Sequence, residues 1–170
     1  MSLRVIAGRF KGRRLAAPAW AGLRPTSDRL RETLFDILGA RVAGARVLDV
    51  FAGTGAIGIE ALSRGAAHVT FVESDRRAVA LIARNLQGCA VGDGYTVRST
   101  RWPEARGAGA PFDIAVLDPP YEGADLEGAV KAACAWTSSG GLVVLEHAAR
   151  REPPEPAAGW RLVRTLRAGD

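Results

Sequence analysis

Apolar positions along this chain follow two periods, and the two alternate. Leu30, Leu34, Ile37 and Leu38 recur at helical spacing. Thr26, Ser27 and Asp28 offer N-caps ahead of them, and Gly39 a C-cap behind. From residue 46 onward, short apolar runs suited to buried strands (46–51, 68–72, 95–98, 112–117, 142–146) alternate with helical segments (56–64, 75–86, 124–136). That alternation predicts an α/β fold, a mostly parallel Rossmann-like sheet with helices on both faces. Ahead of it, 4–7 and 13–17 flank a turn from Gly8 to Gly12 and predict a β-hairpin. Residues 153–156 are Pro-rich and predict a surface connection; 160–167 predicts one more strand. No internal repeat or long linker divides the chain. The expectation is one domain over 1–170, with an extension (1–41) on a catalytic core (42–170).

Composition sharpens this. At 170 residues and 48% hydrophobic, the chain can bury a real core. No run is long and apolar enough to span a bilayer, and the N-terminus lacks a secretory h-region. Cys89 and Cys134 are far apart and suit two reduced thiols, not a metal site. A cytoplasmic monomer is the expectation. The net charge of +5 is unevenly spread: residues 1–41 hold nine basic side chains against three acidic, a local charge of +6, and the rest sums to −1. A basic end on a near-neutral body predicts a polyanion partner.

Two strand exits carry the chemistry. After Val47-Leu48 come Asp49-Val50-Phe51-Ala52-Gly53-Thr54-Gly55-Ala56-Ile57-Gly58. The glycines match G-x-G-x-x-G, and Glu73 follows Gly53 by 20 residues at the next strand's end. On paper that is a dinucleotide fingerprint. A pyrophosphate, however, needs bare backbone N–H groups and no anion at the helix start. Asp49 would repel it and attract a cation. S-adenosylmethionine carries an ammonium and a sulfonium and no phosphate, so Asp49 favours it over NAD. Glu73 is then expected to accept both ribose hydroxyls.

The second exit is Asp118-Pro119-Pro120-Tyr121, after Ile114-Ala115-Val116-Leu117. An exocyclic base amine is a weak nucleophile because its lone pair is delocalised. It needs two acceptors on its hydrogens, which the Asp118 carboxylate and the Pro119 carbonyl supply. Tyr121 offers a face for a flipped base to stack on. Such positioning is worth on the order of 7–11 kcal/mol of the barrier.

With these residues the chain resembles the bacterial small-subunit ribosomal RNA guanine-N2 methyltransferases, the RsmD family. The similar segments are 24–35 (Arg-Pro-Thr-Ser-Asp-Arg-Leu-Arg-Glu-Thr-Leu-Phe), 48–66, 72–75 (Val-Glu-Ser-Asp) and 118–121. The resemblance implies a class I methyltransferase sheet with an added N-terminal hairpin, S-adenosylmethionine as donor, and a guanine 2-amino group in small-subunit rRNA as acceptor. It departs at Thr100, which stands where the family offers Asn or Asp to adenine. It departs again at the chain's end, where either the sheet lacks the final antiparallel strand or the sequence stops short of it. The expected cofactor set is Asp49, Phe51, Gly53, Thr54, Gly55, Glu73, Ser74 and Thr100, and the expected catalytic set is Asp118, Pro119 and Tyr121. Arg9, Lys11, Arg13, Arg24, Arg29 and Arg31 are expected to grip RNA. Adenine-N6 or DNA amino-methylation, an NAD-dependent oxidoreductase and a noncatalytic RNA-binding protein are the rival readings.

Overall fold

The computed structural model describes residues 3–20, 27–104, 111–120 and 124–166. Arg24 and Tyr121, expected in RNA binding and catalysis, lie outside them. In chain order the elements are α1 (Asp28–Leu38), a 3-10 turn (Gly39–Val42), β1 (Arg46–Val50), α2 (Ala56–Ser63), β2 (His68–Glu73), α3 (Arg76–Gly88), β3 (Tyr95–Ser99), β4 (Phe112–Leu117), α4 (Leu126–Trp136) and β5 (Thr137–Leu145). Ser27 caps α1 by accepting from the Leu30 N–H, and Gly39 ends it at φ 51°.

The five strands lie in the order β3-β2-β1-β4-β5, all parallel. Parallel strands are joined by crossovers, so both faces become covered. One face carries Val47, Val69, Phe71, Ile114 and Val116 against α1, α2 and α3. The other carries Leu48, Val50, Val72, Ala115 and Leu117 against Ala129 and Ala133 of α4. Trp102 belongs to this second layer, packed edge-on against Trp136 with its indole N–H on the Ala129 carbonyl.

Every residue of α2 is buried, which a helix tolerates only when covered on all sides. The sheet covers one side: a Cβ on Gly58 would sit 2.2 Å from Phe71 Cε1, so glycine lets α2 press onto β2. The N-terminal extension covers another, contributing Val5, Phe10 and Leu15 to the same apolar cluster. Gly8, at φ +78°, lies so close to α2 that a Cβ would meet the Ser63 carbonyl oxygen at 1.9 Å.

Two expected elements change. The hairpin shrinks to one antiparallel bridge, Arg4 with Arg14, flanked by hydrogen bonds between Val5 N–H and Arg13 O and between Leu15 N–H and Leu3 O. The reason is competition: the Ile6 and Ala7 N–H groups donate to the Glu60 carboxylate of α2, not to a partner strand. Residues 160–166 form no strand, and Leu162, Val163 and Leu166 are exposed. A strand needs a ladder partner, and among the described residues nothing pairs with the outer edge of β5. No helix among them is long and apolar enough to cross a membrane. Cys89 and Cys134 are both free and buried.

Candidate active site

At the carboxyl ends of β1, β2 and β4, the carboxylates of Asp49, Glu73 and Asp118 lie near enough for the charges of the last two to act on Asp49. In-register pairing sets Asp49 beside Val116 of β4 and Phe71 of β2, and the Asp118 N–H approaches the Val50 carbonyl at 3.4 Å. Asp49 and Asp118 thus belong to neighbouring strand tips.

Asp49 is 1% exposed, and its Oδ2 accepts from the Gly58 N–H at 2.9 Å. Burial pushes its carboxyl well above the usual carboxylate range; the Gly58 N–H pulls it back down, and the charges of Asp118 and Glu73 push it up again. A folded carboxyl that holds its proton to higher pH than the unfolded one makes the native state the better proton binder. Its contribution to stability therefore falls as pH rises from the ordinary carboxylate value through the raised one. Asp49→Asn is expected to remove that fall, read as a flatter pH dependence of the urea-unfolding free energy over that window; an unchanged slope would mean Asp49 does not titrate there.

The glycine loop is shaped by left-handed backbone. Phe51 (φ 61°), Gly53 (φ 55°) and Gly55 (φ 75°) all adopt it, and Gly55 is the N-cap of α2. For Phe51 this costs on the order of 1–3 kcal/mol, a strain characteristic of ligand-clamping loops. The Phe51 ring is half-buried against the α4-side cluster.

Glu73 departs from expectation. Its Oε2 accepts from the Gly53 N–H (2.9 Å), and its Oε1 from the Ser74 (2.7 Å) and Asp75 (2.8 Å) N–H groups. Of roughly four acceptor directions on a carboxylate, three are taken. Accepting both ribose hydroxyls would require it to give up backbone partners. Thr54 also differs: it is buried, and its hydroxyl accepts from the Ala56 N–H at 3.3 Å, so it shapes the loop from within. Ser74 is exposed beside Glu73; Thr100 is half-buried, its N–H on the Glu73 carbonyl at 3.0 Å. Asp118 is half-buried, Pro119 buried and Pro120 exposed.

The expected RNA ligands divide. Arg9, Lys11, Arg13 and Arg29 are exposed, as are Arg4 and Arg14. The Arg9 and Arg13 guanidinium carbons lie 4.5 and 5.6 Å from the Phe10 ring centre. Arg31 is corrected: it is 0% exposed, with Nη2 on Asp28 (2.6 Å) and on the Arg4 carbonyl (2.9 Å), and Nη1 3.9 Å from Glu60. It is an internal anchor with no surface to offer a phosphate.

Sequence reasoning missed Glu60, Ser63 and Asn85. Glu60 accepts from Ile6, Ala7 and Arg64; the Ser63 hydroxyl accepts from the Phe10 N–H and donates to the Ala7 carbonyl. A signal existed for each: a polar side chain inside an otherwise apolar helix, or at a core position of an amphipathic one.

Residues 3–170 match the family model described as Conserved hypothetical protein 95. Ribosomal RNA small subunit methyltransferase D of Escherichia coli (strain K12) is 37% identical over 169 residues, 98% of this chain and 85% of the relative. The protein of the same name from Haemophilus influenzae is 33% identical over 176 residues, 98% of this chain and 89% of the relative. A solved structure, "Putative methyltransferase yhhF from Escherichia coli", superposes with a TM-score of 0.88 at 34% identity, covering 99% of this chain and 93% of that one.

Proposed function

We propose that this chain, which belongs to the RsmD family of class I methyltransferases, methylates the exocyclic 2-amino group of a guanine in small-subunit ribosomal RNA. The observation that carries the reading is the placement of Asp49 and Asp118 at adjacent strand ends, with Asp49 buried and within reach of the charges of Asp118 and Glu73.

Such a set of acceptors fits S-adenosylmethionine. A buried carboxylate with two further carboxylates close by attracts a cation and repels a pyrophosphate. When bound, S-adenosylmethionine supplies a methyl group on a positively charged sulfur. Asp49, the loop from Gly53 to Gly55, Thr100 and, through its one remaining acceptor direction, Glu73 would hold it. Asp118 and the Pro119 carbonyl each accept a hydrogen bond from the target amine, which turns the nitrogen lone pair toward the methyl carbon; as the C–S bond breaks and the N–C bond forms, the amine's surplus proton leaves toward the Asp118 carboxylate. Tyr121 follows directly in the chain and serves as the stacking face for the base. Pro119 suits the task because its ring fixes φ and the following Pro120 restricts its ψ, which together limit where its carbonyl points.

RNA is gripped by the exposed cations of the extension. Arg9 and Arg13, held against Phe10, are pre-oriented for phosphate forks. Arg9→Ala and Arg13→Ala are each expected to lower RNA affinity and to reduce the slope of log K against log salt by about 0.7–0.9. Binding measured from low to moderate salt checks this; unchanged slopes in both variants would move the RNA elsewhere.

The deciding experiment incubates the protein with labelled methyl donor and small ribosomal subunits from cells lacking the modification, followed by nucleoside analysis. Label in N2-methylguanosine is expected. Label in N6-methyladenosine, or none, overturns the assignment.

A further inference from the structure

We infer that Asn85 is a positioning residue whose buried amide ties the cofactor's glycine loop to the basic N-terminal extension, so that filling the loop tightens the RNA-facing segment. The inference rests on the cofactor and RNA sites proposed above. Asn85 lies on the inner face of α3 among Ala78, Leu81, Ile82 and Leu86, and is 3% exposed. A leucine would suit that apolar position. An amide there costs free energy unless its polar atoms are satisfied, and here they are satisfied by two segments far apart in the chain. Nδ2 donates to the Thr54 carbonyl at 2.9 Å and to the Ala16 carbonyl at 3.1 Å; Oδ1 accepts from the Ala16 N–H at 2.7 Å.

Both anchor points matter. Thr54 stands between Gly53 and Gly55, two glycines of left-handed backbone. Its carbonyl is where α3 holds the loop. Ala16 follows Arg13, Arg14 and Leu15, of which the arginines are exposed and the leucine buried. One planar amide therefore relates the position of the loop to the position of the extension. Coupling between two sites is reciprocal: whatever orders the loop also orders the extension, and RNA held on the extension tightens the cofactor.

The probe is S-adenosylhomocysteine, titrated calorimetrically into the full chain. Asn85→Leu is expected to raise its Kd roughly tenfold, raising KM for the donor more than it lowers kcat. Leu86→Ala, a core truncation on the same helix, is expected to lower the thermal midpoint yet leave Kd within about twofold. In the unaltered protein, S-adenosylhomocysteine is expected to slow hydrogen exchange of the Ala16 amide by more than it slows the sheet-core amides that report global stabilisation, which a merely structural asparagine would not cause. This last measurement decides the matter if Asn85→Leu does not fold. Unaltered affinity in Asn85→Leu, or an Ala16 amide slowed no more than the sheet-core amides, overturns the inference. Failure of the unaltered protein to bind the probe at all would sink the cofactor reading itself, a distinguishable result.

Discussion

Asp118→Ala is expected to lower methyl transfer by roughly 10²–10³-fold while S-adenosylhomocysteine still binds. The amine has little basicity to exploit, so the rate depends on how its hydrogens are held. Asp118 is the charged member of the two acceptors, and its carboxylate also faces the positive charge that develops on nitrogen. Its loss leaves the Pro119 carbonyl as sole acceptor and the lone pair free to remain delocalised into the ring. Single-turnover transfer with labelled donor reads the rate, and calorimetry reads the binding. A second consequence is electrostatic. Asp118 is one of the charges that raise the Asp49 carboxyl, so the variant should ionise Asp49 at lower pH. Transfer at the unaltered rate would remove Asp118 from the reaction.

Glu60→Leu is expected to destabilise the fold by about 3–5 kcal/mol, the usual cost of stripping one partner from a buried ionic network. Glu60 is 0% exposed and accepts from the Ile6 N–H (2.7 Å), the Ala7 N–H (3.0 Å) and Arg64 Nε (2.7 Å), with Arg31 Nη1 3.9 Å away. Arg31 already has Nε and Nη1 without hydrogen-bond partners. Without Glu60 its buried charge is compensated, among the described residues, by Asp28 alone, and two backbone donors of the extension lose their acceptor. Urea unfolding measures the loss, and hydrogen exchange should show the extension opening first. Adding Arg31→Met should restore much of the stability, because an apolar replacement of a whole buried pair is often close to neutral. Equal destabilisation of the single and double variants would show that the backbone bonds, not the ion pair, carry the effect.

The strand exits were readable because they are local: Asp49 and Asp118 each stand directly after an apolar run, and parallel strands bring their carboxyl ends to one edge. The boundaries of α1, β2 and β4 follow from caps and periods within a few residues of each side chain. Arg31 shows where that reasoning stops. Its neighbours Arg29 and Leu30 suggest an exposed first turn, yet the helical face it occupies is set by α2 and the extension. The hairpin was overestimated for the same reason. Pattern alone cannot show that Glu60, more than fifty residues on, takes the two N–H groups a strand would have used.

The sequence by itself determined the layered α/β architecture, the loop of left-handed glycines and the acidic residues that end two strands, because periodicity, glycine φ preference and strand-exit position are properties of short segments. Only the tertiary structure decided which cations face solvent, how Glu73 shares its oxygens, and that Glu60 and Asn85 join the extension to the core. Those outcomes depend on burial and on donor–acceptor matches between distant segments, where the free energy of satisfying a buried polar group outweighs any local preference.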